Sequence, residues 1–430
     1  MKENEIDNII ELIKHEVIST IGCTEPMAVA LCVAKSRELL GAIPEKIDVF
    51  LSADVLKNAM GVGIPGTNGM IGLPIAIALG AIIGNSEYKL EVLKDSSNEA
   101  IEKGKQLIDR KIINISLKEE TTESLYIEVS CKKGEKRSTA IIAKEHTNFI
   151  YLSANREVTL DNTKELKDEG TKNRIELTAA KIYEFTTEAP LSKIDFILKS
   201  AEMNKDAAET SFNGNYGHQV GSLFRASILR TQDADNLKYM QAYACAACDA
   251  RMAGAMIPVM SNSGSGNQGI AATLPIKIFA ERNNNTKEEL VRALIISHLI
   301  VIYIKQHLGR LSPFCGCVFA TTGASCGLVY LMGGNFQQIC FSIKNMIANL
   351  TGMLCDGAKP GCSMKLSTGI HAAMLSAQLA MEDIHASSLE GIIEEEVDRC
   401  IQNLSVISAQ GLSEVNKIIL QIMTNKVQQL

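Results

Sequence analysis

Apolar residues recur along this chain in two registers, one helical and one alternating, and the alternating one is confined to the part before Pro190. Residues Glu5–Ile13 begin a helix, the break Gly22-Cys23-Thr24-Glu25-Pro26 interrupts it, and MAVALCVAKSRELLGA resumes helical spacing up to a glycine stop. KIDVFLSA (Lys46–Ala53) alternates as a half-buried strand does, and after the glycine-rich run Gly61–Gly72 an apolar helix is predicted around Pro74–Ile83. Ser124–Ser130 and Ser138–Lys144 alternate again across Cys131-Lys132-Lys133-Gly134-Glu135-Lys136, which predicts a hairpin.

Past Pro190 the alternation disappears. Segments rich in Ala, Leu, Ile and Met follow one another at helical spacing, separated by short Gly, Pro and Asn breaks, through to a last helix in GLSEVNKIILQIMTNKVQQL. The expected fold class is therefore an α+β domain over 1–190 followed by an all-α domain over 191–430. The boundary is placed at Ala189-Pro190, where proline disfavours helix at the residue before it. A length of 430 residues also exceeds what one compact core usually holds.

Two apolar stretches, Met70–Gly84 and Ala293–Ile304, fall short of the ~20 residues a bilayer span needs and read as buried helices. The charged, amphipathic start MKENEIDNIIELIKHEV lacks the pattern of a secretory signal, so a cytoplasmic location is expected. With basic and acidic residues interspersed and a net charge of −6, nothing attracts a polyanion. Neither nucleic acid nor a membrane is an expected partner; a small molecule and further copies of the chain, as a homo-oligomer, are.

Twelve cysteines in a reducing compartment do not make a disulfide framework. Cys32, Cys245, Cys248, Cys340 and Cys400 lie in apolar or helical contexts and Cys131 in a strand, so they read as small buried hydrophobes. The pair Cys245-Ala-Ala-Cys248 has metal-ligand spacing, but no second pair at zinc spacing accompanies it and its surroundings are helical throughout.

Four glycine-punctuated breaks differ from plain interhelical turns: Ser211–Gly217, Ser261–Gly269 (SNSGSGNQG), Pro313–Gly323 and Cys355–Cys362. Uncharged loops of small residues let backbone approach a ligand. Phe314-Cys315-Gly316-Cys317 and CDGAKPGC (Cys355–Cys362) place their thiols on such loops, and the helix expected from Ser363 points its partly positive start at them. Soft thiolates on loops suit an iron–sulfur cluster; zinc, with tighter paired spacing, and no metal at all are the alternatives.

Taken together, Ile21-Gly22-Cys23-Thr24-Glu25-Pro26, Gly264-Ser265-Gly266-Asn267-Gln268-Gly269, Phe314-Cys315-Gly316-Cys317 and Cys355–Lys365 resemble the iron–sulfur L-cysteine desulfidases, which are themselves similar to the iron–sulfur L-serine dehydratases. The likeness runs from Cys23 to His371. Pro26-Met27 and Gly63-Ile64-Pro65-Gly66-Thr67 are similar to two loops of the dehydratases, and Ser261–Gly269 to their substrate-binding loop. The resemblance implies a 4Fe-4S cluster held by three thiolates with one iron open, and no pyridoxal phosphate. Cys355 and Cys362 match its ligand loop; the third ligand maps to Cys315 or Cys317, and Cys315 is chosen. The dehydratases can place a cysteine near their C-terminus on the fourth iron, whereas the last cysteine here, Cys400, lies in a helical stretch.

The activity this implies is β-elimination of L-cysteine to sulfide, pyruvate and ammonia. Cys23, before a helix start that favours thiolate, is the candidate base, with Glu25 its rival. Ser261, Asn262, Ser265 and Asn267, joined by Thr24 and Thr67 from the other domain, are candidate contacts for the substrate, and Lys359 for its carboxylate or for the charge of the cluster. His218 reads as a structural histidine. This arrangement requires the Cys23 loop to face the cluster loop across the domain interface. An L-serine or L-threonine dehydratase on the same scaffold, and a zinc-stabilised binding protein without catalysis, are the competing readings.

Overall fold

The computed structural model describes residues 1–119, 121, 123–155, 157–166, 175–231 and 235–427. Its largest sheet has six strands in the order Ile113–Leu117, Lys46–Leu51, Tyr126–Lys133, Lys136–Ala143, Phe149–Ala154, Glu157–Asp161. The alternating Lys46–Leu51 segment forms the second of these, parallel to Ile113–Leu117 and antiparallel to Tyr126–Lys133, with Val49 opposite Val129. The hairpin forms as predicted, but its strands extend inward until only Gly134 and Glu135 remain as the turn.

One face of this sheet is covered by the Thr24–Leu40 helix, whose Cys32 thiol reaches the Ala140 carbonyl at 3.2 Å. The Leu73–Ile82 helix packs against that helix. Ile47, Val49 and Leu51 from the strand, Val29 and Val33 from the first helix and Ile75 and Ile77 from the second close a continuous apolar cluster, all at most 1% exposed.

A second and larger cluster lies in the helical part. Its axis is the Lys287–Leu308 helix, apolar on every face, packed between Gly266–Arg282 and Gly316–Leu331. A helix hydrophobic all round must be buried by protein or lipid. Among the described residues this is the one helix long and apolar enough to cross a bilayer, and here neighbouring helices enclose it. The predicted C-terminal helix forms over Ser413–Val427; residues 428–430 of that prediction lie outside the described residues.

Two details depart from a clean succession of α+β and all-α parts. The Glu3–Glu16 helix contributes Ile6, Ile9, Ile10 and Ile13 to the helical cluster and not to the cluster against the sheet. The segment beyond Pro190 is also not entirely helical, because Pro258–Met260 forms a short strand antiparallel to Ser19–Ile21. At three residues each, these strands are too short to show a period. Their pairing sets the Cys23 break beside the SNSGSGNQG segment, where Ser261 N–H continues the ladder to the Ile18 carbonyl at 2.8 Å.

That segment is held from below by His298, fully buried on the central helix. Asn262 Nδ2 donates to His298 Nδ1 at 2.9 Å, so the ring proton sits on Nε2, toward Thr273 Oγ1 at 3.2 Å and Ser200 Oγ at 3.4 Å. Burial pushes the His298 pKa down to about 3. The unfolded chain, with an ordinary histidine pKa near 6.5, therefore binds a proton here that the folded chain refuses across the whole interval between those values. Stability from this group is complete above pH 6.5 and falls as pH falls, by up to about 1.4 kcal/mol per pH unit. Urea unfolding between pH 7 and 5 should show this decline, and His298→Gln should flatten it while lowering stability at pH 7; an unchanged slope in the variant would contradict the assignment.

Candidate active site

The two cysteine loops are joined by backbone pairing. Phe314 and Leu354 form an antiparallel bridge, Cys315 N–H donates to the Met353 carbonyl at 2.9 Å, and Cys355 N–H donates to the Pro313 carbonyl at 2.7 Å. The register sets Cys315 opposite Met353 and Cys355 opposite Pro313, so the two cysteines flank the bridge diagonally although they are far apart in sequence. The rest of the CDGAKPGC loop is braced by Asp356, which pairs with both Lys359 and Lys365, and by Lys365 Nζ donating to the Leu354 carbonyl at 2.8 Å. Cys362 then opens the Cys362–Met381 helix, one residue earlier than predicted.

Cys315, Cys317, Cys355 and Cys362 line one cavity, and Cys23 and Glu25 from the front of the chain line it with them. Its volume of about 80 Å³ is several times the roughly 10–15 Å³ that one water molecule needs. Asn58 ties the two sides together: its Nδ2 donates to Glu25 Oε1 at 3.0 Å, and its Oδ1 lies 3.9 Å from the Cys355 sulfur. Four helices start at this wall, with Cys23, Ser265, Cys315 and Gly361 as their N-cap residues, and none of the four has a side-chain cap. Uncapped helix starts present N–H groups and partial positive charge, which favours anions.

The thiols differ in acidity. Cys317 donates toward Cys315 at 3.5 Å, which holds the Cys315 thiol below the ordinary thiol range and raises that of Cys317. Burial pushes Cys362 up to about 11 and raises Cys355, and each of these two is raised further by the charge of Cys315. Cys317 also feels the charges of Cys315 and Cys362, so the four loop and helix-start thiols share one electrostatic environment. Among the described residues no three His, Cys, Asp or Glu side chains converge tightly enough for a single ion. A tetrahedral zinc, with Zn–S bonds of about 2.3 Å, needs such convergence, whereas a multi-iron core spaces its thiolates around itself. The soft donor set, its spacing and the converging helix starts fit an anionic iron–sulfur centre.

Cys23 is placed at a helix N-cap as expected, but not as a ready thiolate. It is 2% exposed, its Sγ donates to Glu25 Oε2 at 3.0 Å, and burial together with the Glu25 charge raises its pKa well above that of a free thiol. Thr24 Oγ1 lies 3.0 Å from the same Glu25 oxygen, and the Glu25 carboxyl sits below the ordinary range despite burial that works the other way, with His146 and the Cys23 hydrogen bond among the groups lowering it. The proton of the pair therefore rests on sulfur.

Of the other residues singled out in the sequence, Ser265 and Asn267 line the cavity and five do not. Thr24 Oγ1 donates to the Gly264 carbonyl at 2.8 Å, Thr67 Oγ1 to the Ile64 carbonyl at 2.6 Å and Ser261 Oγ to the Ile18 carbonyl at 2.7 Å; Asn262 is bound to His298, and Lys359 to Asp356. Cys245 and Cys248 are core residues, the former donating to the Ser363 carbonyl at 3.4 Å. The cavity also holds Gln268 of the SNSGSGNQG segment and three side chains that the sequence did not announce: Arg251, Lys305 and Arg310. Lys305 lies in the last turn of the central helix, and burial lowers its pKa to about 8. Arg310 pairs with Glu16 at 3.0 Å and Glu145 at 3.4 Å, and it borders a neighbouring cavity of about 460 Å³ that includes the buried His146. For Lys305 the available signal was a cation directly after the long apolar run Ala293–Ile304; Arg251, which shares its helix with Lys238 and Asp249, left none.

A family model described as serine dehydratase alpha chain matches residues 87–421. The chain belongs to that family. Its match includes all four cavity cysteines of the helical part and leaves Cys23 outside, in a region covered by full-length relatives. A UPF0597 protein of Bacteroides fragilis is 58% identical over 427 residues, covering 99% of this chain and 100% of its own. UPF0597 proteins of Bacteroides thetaiotaomicron and Phocaeicola vulgatus are each 58% identical, over 427 and 425 residues, with 99% and 98% of both chains covered. The serine dehydratase alpha-chain match supports a lyase-type enzyme.

Gly357 holds this family member's cysteine loop against the front of the chain. Its φ is +89°, and a Cβ there would lie 2.4 Å from the Lys57 carbonyl oxygen. The Gly357→Ala variant should lose about 1–3 kcal/mol in urea unfolding. In metal-free protein it should also alkylate faster at Cys355. Wild-type stability and labelling would show that the loop does not need this close approach.

Proposed function

We propose that this chain is an L-cysteine desulfidase, a carbon–sulfur lyase that releases sulfide, pyruvate and ammonia. The observation that carries the reading is that loop-borne thiols and a buried thiol–carboxylate pair from opposite ends of the chain face one cavity. Cys315, Cys355 and Cys362 would hold a 4Fe-4S cluster. When bound, the cluster supplies a Lewis-acidic iron that makes sulfur a better leaving group.

The chain's own residues do the rest. Ser265 and Asn267, at the start of the Gly266–Arg282 helix, offer polar contacts to the amino acid. Cys23 and Glu25 act as one base: as the sulfur takes the Cα proton, the carboxylate 3.0 Å away receives the thiol proton. The C–H electrons form the Cα=Cβ bond and the Cβ–S electrons leave with sulfur. The enamine product tautomerises and adds water to give pyruvate and ammonia. Burial of both groups keeps bulk water from competing for the proton.

A second reading, loss of the hydroxyl of L-serine, is favoured by the description of the matched family. The scaffold is common to both readings and only the leaving atom differs. Five thiols around the cavity support sulfur chemistry. An anaerobic assay on reconstituted protein separates them: sulfide and pyruvate from L-cysteine at a kcat/KM well above that for L-serine is expected, and the reverse order overturns the substrate. Cys355→Ala and Cys362→Ala should lose iron and turnover together. Cys23→Ser should keep its iron and lose turnover by at least about 100-fold, whereas loss of iron in this variant would make Cys23 a ligand.

A further inference from the structure

Arg251 is the penultimate residue of the Asn236–Met252 helix and is 2% exposed. Nη1 donates to Asn267 Oδ1 at 3.0 Å, while Nε and Nη2 have no partner among the described residues. No carboxylate forms an ion pair with it among those residues, although Glu25 and Cys23 lie close enough to feel its charge. A buried cation with unmade hydrogen bonds is costly to fold. Its donors therefore call for an acceptor that the chain itself does not provide.

The surrounding chain makes room for this group and fixes its plane. A Cβ at Gly266 would lie 2.3 Å from Arg251 Nε and 2.9 Å from its Cδ, so the glycine of SNSGSGNQG admits the guanidinium. Asn267 grips Nη1 and is itself steadied by Nδ2 against Met252 Sδ at 3.3 Å. Nε and Nη2 share the other edge of the planar group, which takes a carboxylate through two parallel N–H···O bonds. The remaining cations of the cavity are less suited: Arg310 is already paired with Glu16 and Glu145, and Lys305 is a point charge without a fork.

We propose that the Nε and Nη2 edge of Arg251 binds the α-carboxylate of the substrate, so that the site selects α-amino acids over the corresponding amines. This rests on the cavity being the active site. The anchor places the carboxylate beside the start of the Gly266–Arg282 helix and sets Cα toward the Cys23–Glu25 pair, whose charges Arg251 already influences.

The test compares L-cysteine with cysteamine, which lacks only the carboxylate, on reconstituted wild type, Arg251→Gln, Arg251→Lys and Gly266→Ala, with circular dichroism to verify folding. Arg251→Gln should raise KM for L-cysteine about 100-fold and leave kcat/KM for cysteamine within about threefold. Arg251→Lys should fall between the two, and Gly266→Ala should act in the same direction by displacing the fork. Should L-serine be the better substrate, L-serine and ethanolamine replace the pair and the proposal is read unchanged. A readout independent of turnover is calorimetric binding to the reconstituted protein: L-alanine should bind wild type and not Arg251→Gln, and ethylamine should bind neither. Equal losses for the amino acid and its amine, or equal binding of L-alanine by wild type and Arg251→Gln, would overturn the proposal.

Discussion

Four helices that begin at one cavity wall without a capping side chain impose a field on that cavity. Each start contributes backbone N–H groups that the helix itself does not satisfy, and a fraction of a positive charge. An apolar ligand gains nothing from this arrangement, while thiolates, sulfide and carboxylate gain a great deal. Within this field several cysteines share the wall with a buried Glu25, whose carboxyl is held below its ordinary range by His146, the Cys23 hydrogen bond and Arg251.

The two apolar clusters exist, in functional terms, to aim those helix starts. The sheet and its covering helices fix Cys23 and Asn58; the central helix fixes the SNSGSGNQG segment through His298 and, through its neighbour Gly316–Leu331, the Cys315 loop. The short pairing of Ser19–Ile21 with Pro258–Met260 and the bridge between Phe314 and Leu354 then bring distant loops together through backbone alone. Backbone pairing suits this task because it leaves every side chain at the wall free for chemistry. Charge is balanced by Arg251, Lys305 and Arg310, which place cations around a thiol-rich centre without blocking it.

Where a long period existed, the chain was legible: Lys46–Leu51 alternates because one face meets the apolar cluster, and the hairpin follows from two such runs around Gly134. The loop cysteines were legible because glycine and proline exclude helix and strand there. Short polar residues were the weak point. Thr67, Ser261 and Thr24 were candidates for substrate, yet each hydroxyl meets a backbone carbonyl within 2.8 Å, as such side chains do in tight loops. Asn262 is taken by a histidine from a distant helix. Arg251 went unnoticed for the opposite reason, since its helix conceals it by period and only the third dimension shows a guanidinium threaded past Gly266. The acidity of Cys23 was misjudged because the helix start was visible in the sequence and the opposing carboxylate contact was not.

The central claim is that Cys315, Cys355 and Cys362 together hold one iron–sulfur centre. Anaerobic reconstitution followed by alkylation under denaturing and native conditions, with mass mapping of each cysteine, measures it directly. The account predicts about four irons and four labile sulfides per chain, with these three thiols protected and Cys317 and Cys23 still titrating as thiols once the cavity is opened. Stoichiometric zinc with no labile sulfide, or all three thiols as reactive as in the metal-free chain, would contradict it.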